Sequence, residues 1–407
     1  MRNTICIFFI FLFLYFLTGC QTKTPKQENI VNIEALLDKK ELQLRNLSDF
    51  GKRVRYIPLE LTDESLVGRP GDIFLFEDHI YIIDGQQFTL LHFKTDGSFQ
   101  GTIGRPGGGP GEYVGIPNNV EFLTDKNILS MKTTYSFIYQ YTPDGKFIRK
   151  ITLPSKEDHH IASAFHLGDD YILGDLITAM QTKYNYLIYN HTDSTIQYVE
   201  VDPEPMPKSN DAFSSLDMAI MWKYDGKVRY MKRAWNTVIT FDESLERDTL
   251  FQLNYGRYSA MDSDLEQFER FKRSVYIQKA KESKDHIFLE FQYGKWAPET
   301  FEKKYITRDG EIRTFISTAG YALYDKQTKK MQLLKKPVEK AIGLNNDIDD
   351  GPVFWPQYID EKGRMIMYFS AFDLLNAYEQ LENPPAELAR IMQHFDEESN
   401  PVVMIVE

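Results

Sequence analysis

Disulfide chemistry is the first thing this chain lacks. Its two cysteines are Cys6, inside an N-terminal apolar stretch, and Cys20, just behind it. The body of the chain has none, so its fold must rest on a packed core even in an oxidising compartment. A basic run is also missing. Lys and Arg number 47 against 59 Asp and Glu, a net charge of −12, which argues against nucleic acid as a partner. The apolar stretch 5–17 holds thirteen residues, whereas a membrane-spanning helix needs about 20. No Gly-x-Ser-x-Gly occurs, so the usual hydrolase nucleophile signature is absent. The glycine-rich run 104–111 has neither a following Gly-Lys-Ser/Thr nor the Gly-x-Gly-x-x-Gly spacing, which excludes a phosphate loop. No cofactor is expected, and no metal.

What the N-terminus does carry is a targeting pattern. Arg2 precedes the apolar stretch, and Leu17-Thr18-Gly19-Cys20 closes it. This run resembles a lipobox, the signal-peptidase site of bacterial lipoproteins. The expectation is removal of residues 1–19 and lipidation of Cys20. Each buried CH₂ of the lipid then contributes ~0.8 kcal/mol to membrane attachment. The competing reading is an ordinary secretory signal with a chance cysteine. Residues 21–29 are polar and read as a tether. Residues 30–48 carry Ile33, Leu36, Leu37, Leu42, Leu44 and Leu47, enough for one short helix and a strand. The domain plan is a signal peptide over 1–19, a lipidated tether and N-terminal segment over 20–50, and one β domain over 51–407.

That domain repeats. Phe93-Lys94-Thr95-Asp96-Gly97-Ser98-Phe99 matches Tyr141-Thr142-Pro143-Asp144-Gly145-Lys146-Phe147, and looser copies centre on Asp193, Asp242 and Asp325. Each is a hydrophobic strand, an Asp-led tight turn and another strand. The aspartates are spaced by 48, 49, 49 and 83 residues, and propeller blades use about 40–50. In the first unit the strands read 72–76, 80–84, 89–93 and 99–103. The second strand recurs at 128–131, 171–174, 228–231, 287–291 and 365–369. These positions predict an all-β, six-bladed β-propeller of four-stranded antiparallel blades with short helical insertions. The last blade is closed by both chain ends, residues 402–406 and 54–59. Two stacked β-sandwiches are the alternative, but they lack a constant period.

Gly104-Arg105-Pro106-Gly107-Gly108-Gly109-Pro110-Gly111-Glu112-Tyr113, followed by Pro117 and Val120, resembles the glycine-rich start of an NHL repeat. It is still more similar to the six-bladed β-propeller lipoproteins of Bacteroidota. Gly351-Pro352-Val353-Phe354-Trp355-Pro356 and Ala371-Phe372-Asp373-Leu374-Leu375 resemble that family's last blade. The likeness covers about 51–407 and implies fold and location rather than activity. Surface lipoproteins of that group tend to be acidic just behind the lipidated cysteine. Here the segment is Gln21-Thr22-Lys23-Thr24-Pro25-Lys26, which favours an outer-membrane lipoprotein facing the periplasm.

Several residues read either as sites or as structure. His159-His160 could begin a metal site, but no second His or Cys cluster has zinc spacing nearby; a solvated pair in a linking loop is the plainer reading. Asn345-Asn346-Asp347-Ile348-Asp349-Asp350-Gly351 is dense in oxygen donors, either a calcium site without EF-hand spacing or an Asx-rich turn. Ser263 and Glu266 read as a capping box, and residues 384–395 as a helix with Leu388, Ile391, Met392 and Phe395 on one stripe.

Propeller parity then places the function. Links between blades, and loops between second and third strands, emerge at one end of the barrel. The other turns emerge at the opposite end. The long segments 104–117, 155–161, 202–215, 258–274, 294–318, 343–352 and 374–401 all fall at the first end, where binding loops belong. The candidate ligand residues there are Arg105, His159, His160, Arg233, Trp235, Trp296, Asp347, Asp349 and Trp355. The arginines offer donor forks and the tryptophans stacking area. The expected role is non-catalytic binding of a glycan, a peptide or a partner protein. The alternative is a hydrolase or lyase built on acids at the pore mouth. Carboxylates or histidines converging within ~5 Å there would favour the enzyme; aromatics and neutral polar groups would favour binding.

Overall fold

Asp96 builds its own turn. Its Oδ1 accepts from the backbone N of Ser98 at 2.9 Å and from the Ser98 hydroxyl at 2.6 Å. Asp193 does the same with Thr195 and Asp242 with Ser244. Asp325 accepts from the backbone N of Gln327 and Thr328, and Thr142 donates to Asp144. In each of five sheets this turn joins the third and fourth strands. The first is also a blade-to-blade contact. Gly97 has φ 91°, and a Cβ there would stand 2.2 Å from the Pro58 carbonyl oxygen. Only glycine fits.

These relationships come from a computed structural model that describes residues 29–134, 136–155, 160–177, 184–200, 218–233, 235–259, 272–307 and 311–407. Cys20, His159 and the expected capping box at Ser263 and Glu266 lie outside the described residues.

Six sheets follow one another around the ring. The first three are 70–102, 118–152 and 160–200, each of four antiparallel strands paired in chain order. The fourth spans 219–254. The fifth takes Tyr276–Glu282, His286–Gln292, Ala319–Asp325 and Lys330–Leu334, with the hairpin Phe301–Ile306 and Ile312–Ser317 inserted between its second and third strands. That insertion accounts for much of the 83-residue interval. The sixth takes Tyr358–Ile359, Met365–Phe369, Val402–Val406 and Val54–Pro58. Val402 pairs with Pro58 and Val406 with Val54, so the ring closes through both chain ends as the spacing predicts. Closure removes the open sheet edge that would otherwise invite aggregation.

The segment before residue 51 joins the ring from Ile30 onward. Ile30–Asn32 adds a parallel strand outside blade four, and Leu42–Gln43 adds another outside blade five. Between them lies the helix Ile33–Lys39, capped by the Asn32 side chain, which accepts from the Ala35 N–H at 2.9 Å. Ile33 and Leu37 bury against both blades. Two outer edges that would face water are thereby covered. The expected late helix appears as Ala386–Met392. A second, Ala371–Tyr378, starts at Ser370, whose hydroxyl accepts from the Asp373 N–H. Both pack on the core between blades five and six.

Buried polar groups bolt neighbouring blades together. Glu282 accepts from Arg229 through both carboxylate oxygens (3.0 and 3.1 Å), from the Trp222 indole N–H (2.8 Å) and from Lys326 (2.9 Å). Glu121 takes His166 Nδ1 at 3.0 Å and Lys223 from two blades away. His166 has a fixed tautomer. Arg149 donates to Gln140 Oε1, so the Gln140 amide faces His166 Nε2 with its N–H, and Nδ1 carries the proton to Glu121. Asp175 accepts from Lys232 at 2.5 Å, Tyr230 at 3.0 Å and the Ala219 N–H at 3.2 Å. Such charges are tolerated because each is fully paired.

A candidate ligand site between the fifth and sixth blades

All the described candidate residues lie at the long-loop end, but the structure gives most of them local work. Arg105 bonds Glu112 at 2.7 Å, and Glu112 also accepts from the Gly109 N–H. The backbone bond first, then Arg105, holds that carboxyl below its usual range. The pair fixes the glycine-rich link. His160 is exposed at the start of its strand. Arg233 is half-buried beside Tyr276, and burial lowers its guanidinium pKa. Trp235 packs edge-on to Tyr230 at 6.0 Å, with its indole nitrogen buried and without a hydrogen bond among the described residues. Trp296 donates to the Arg273 carbonyl at 2.7 Å and packs edge-on to Tyr258.

The Asx-rich stretch is a turn. Asp347 accepts from the Ser48 N–H and hydroxyl, pinning the N-terminal segment. Burial would raise its pKa, but these bonds outweigh that and hold it low. Asp349 Oδ1 accepts from Asn346, from the Gly351 N–H and from the Tyr56 hydroxyl. Among the described residues no three His, Cys, Asp or Glu side chains are grouped to hold a metal ion.

The innermost strands break their ladders near this same end. Register shifts occur between Pro70 and Ile73, Asn118 and Val120, Ile161 and Ala164, and Ile277 and Lys279. Four blades thus carry a bulge at one level of the ring. Bulges re-aim side chains and gather beside functional sites. Asn119 adopts φ 41° at its bulge. In blade six the innermost strand is only Tyr358–Ile359, which shortens the wall between blades five and one.

Beside that short wall, blade five presents a mixed face. Lys279 pairs with Glu290, Glu290 with Tyr321, and Lys281 with Phe288. Cross-strand partners share a face, so Lys279, Lys281, Phe288, Glu290 and Tyr321 all stand on the side toward blade six. Tyr321 lies flat on Trp355, with ring centroids 4.2 Å apart and planes 8° apart. Trp355 is 5% exposed and meets Phe288 edge-on. Of the expected candidates, Trp355 is therefore the one that contributes here, from beneath.

Across the shortened wall stand Asp72, which is exposed, and Tyr368, whose hydroxyl donates to the Pro70 carbonyl at 3.0 Å. Asp72 acts electrostatically on both Lys281 and Tyr368. Lys281 is half-buried. Burial lowers its pKa, and Asp72 is the largest opposing influence. Neither Lys281 nor Asp72 forms a hydrogen bond or ion pair with another described residue. Burial, then the Glu290 charge, raises the Tyr321 phenol pKa. The wedge therefore offers two cations, Lys281 within it and the exposed Lys279 beside it, two acids and an aromatic plate. Sequence reading missed Lys281, Asp72 and Glu290. Their signal was two lysines, alternating, in Tyr276-Ile277-Gln278-Lys279-Ala280-Lys281-Glu282, which the structure makes the innermost strand of blade five.

Comparison with known proteins agrees with the architecture. A solved structure of a Bacteroides fragilis protein described as exported superposes with a TM-score of 0.63, at 16% identity, over 93% of this chain and 98% of that one. A member of the DUF4221 family from Bacteroides vulgatus gives 0.52 at 11% identity, over 88% and 96%. Among curated proteins none matches significantly. Residues 28–407 match the family described as Domain of unknown function (DUF4934), and the chain belongs to that family.

Proposed function

We propose that this chain is a lipoprotein of the bacterial cell envelope, anchored at Cys20, that binds a glycan without catalysis at its long-loop face. The Leu17-Thr18-Gly19-Cys20 run and the exported Bacteroides neighbour support the location. The lysines at 23 and 26 support the periplasmic side of the outer membrane. The glycine-rich link at 104–113 supports kinship with NHL-like lipoprotein propellers.

One observation carries the binding role. Tyr321, held flat by Trp355, shares a face with Lys281 and Glu290, and Asp72 acts on Lys281 from blade one. Sugar rings are bound by an aromatic plate flanked by polar groups that take hydroxyls. Purified protein on a glycan array tests the reading. Retention of defined oligosaccharides supports it. Retention of none, with capture of peptides instead, overturns it. Chemical turnover of a bound glycan would replace it with the lyase or hydrolase reading, for which Lys281 with Asp72 and Glu290 would be the acid–base set.

A further inference from the structure

Resting on that reading, we infer that the wedge between blades five and six selects sugars that carry a carboxylate, with Lys281 as the group that recognises the acid.

The argument starts from placement. Lys281 lies on the innermost strand of blade five, directly opposite Phe288. Its neighbours on that face are apolar or aromatic, apart from Lys279 and Glu290. The side chain is half-buried along its length, and its ammonium makes no hydrogen bond or ion pair with another described residue. Holding a charge partly out of water without a partner is unfavourable. A protein that needed the position only for packing would be more stable with a methionine there. The ammonium is therefore placed for a ligand's oxygen.

The neighbours define which anion fits. Asp72 and Glu290 both act on Lys281 without forming an ion pair with it. Lys279, exposed and directly opposite Glu290, adds a second cation at the rim, so the two carboxylates leave no net positive charge beside Lys281 to draw in a dianion such as phosphate. A single carboxylate that can rest on Lys281 suffers less, provided the same molecule brings donors for the acids. Hydroxyl groups are such donors, and ionised carboxylates accept only. Tyr321 on Trp355 adds a plate for the C–H face of a ring. One carboxylate, several hydroxyls and an apolar ring face together describe a uronic-acid type of hexopyranose. An acidic peptide offers the carboxylate but not the clustered hydroxyls.

The test is isothermal titration of the lipid-anchored protein in detergent with three probes. They are a tetragalacturonide, its fully methyl-esterified form, and a tetra-glutamate peptide. The free acid is expected to bind at least about tenfold more tightly than the ester, the size of one charge-assisted hydrogen bond. Lys281→Met should bring the acid down to the ester's affinity, and Lys281→Arg should restore part of the difference. Because the Lys281 ammonium holds no partner among the described residues, Lys281→Met should melt with or above the wild type, so lost binding cannot be assigned to unfolding. Equal binding of acid and ester, unchanged in Lys281→Met, would overturn the acid selectivity and leave glycan binding standing. Binding of the peptide alone would overturn both.

Discussion

Met404 stands opposite Tyr56 on one side and opposite Met367 on the other. Residues from the two ends of the propeller thus share one sheet, and Val402–Val406 is an interior strand of it. Tyr56 is fixed in turn by Asp349 and Asn346, within the link into the same blade. Burial first, and Asp349 second, raise the Tyr56 phenol pKa.

Deleting residues 402–407 should therefore unfold the whole ring rather than fray it. All five residues of Val402–Val406 are buried. Their removal parts Val54–Pro58 from Met365–Phe369 and opens two sheet edges. Burying one such side chain contributes about 1.5–3 kcal/mol, and a domain's whole stability is about 5–15 kcal/mol. Loss of the cooperative transition in circular dichroism is expected. A truncated chain that still melts near the wild-type temperature would show that the ring does not depend on its closure.

The closure and the blade count were legible because an Asp-led turn must reappear wherever a third strand meets a fourth. That turn is local chemistry, and Asp96 and Asp242 each make it with a serine two residues on. The bulges were not legible. They arise from how innermost strands crowd around an axis, which no single unit records. The edge strands Ile30–Asn32 and Leu42–Gln43 were half visible, since their apolar residues show burial but not a parallel partner. Several expected site residues do local structural work instead: Asp349 holds a turn and Trp355 a core. The wedge escaped because Lys281, Asp72 and Glu290 come from two blades far apart in sequence.

Glu282 should be among the costliest single residues to neutralise. Its side chain is fully buried and takes Arg229 twice, along with Trp222 and Lys326. Glu282→Gln keeps the shape but leaves a buried guanidinium uncompensated. A loss of about 3–5 kcal/mol is expected, read as a lower urea midpoint with an unchanged slope. A change below about 1 kcal/mol would mean the cluster is worth no more than an exposed pair.

Acid should weaken the fold in two steps. Burial first, then the neighbouring His79, lowers His92 to about 4 from the usual 6.5. For Glu121, burial alone would raise the pKa, but Lys223 and His166 outweigh it and bring the carboxyl to about 2. Both folded values lie below the unfolded ones, so the unfolded chain binds more protons and stability rises with pH. The His92 contribution is complete above pH 6.5 and is lost down to about 4. That of Glu121 is complete above about 4.5 and is lost toward 2. The His92 step is at most about 3 kcal/mol. Denaturation at pH 7 and at pH 4.5 should differ in the wild type and differ less in His92→Gln. A wild-type stability that is flat between these pH values would contradict the buried, neutral His92.

Cys20→Ser should move the protein from the membrane fraction into the soluble envelope fraction. The proposed lipid on Cys20 would supply about 0.8 kcal/mol of attachment per buried CH₂. Fractionation with an antibody against the chain reads the outcome. A variant that stays with membranes would remove Cys20 as the anchor.

Tyr321→Leu should separate the aromatic plate from the fold. Tyr321 packs against the core between blades five and six, so leucine keeps much of the apolar contact while the flat face over Trp355 disappears. Aromatic contacts contribute about 0.5–1.5 kcal/mol beyond their burial, which sets an expected loss of about three- to tenfold in glycan affinity. Trp355→Ala should lose the same affinity and stability as well, about 3–5 kcal/mol, because it opens a cavity under the plate. Trp296→Ala removes a ring that packs on Tyr258, away from the wedge, and should leave affinity near wild type. Calorimetry on all three, with melting curves alongside, orders the effects. If Trp296→Ala abolishes binding while Tyr321→Leu leaves it intact, the ligand sits under the inserted loops of blade five, and the wedge is not the site.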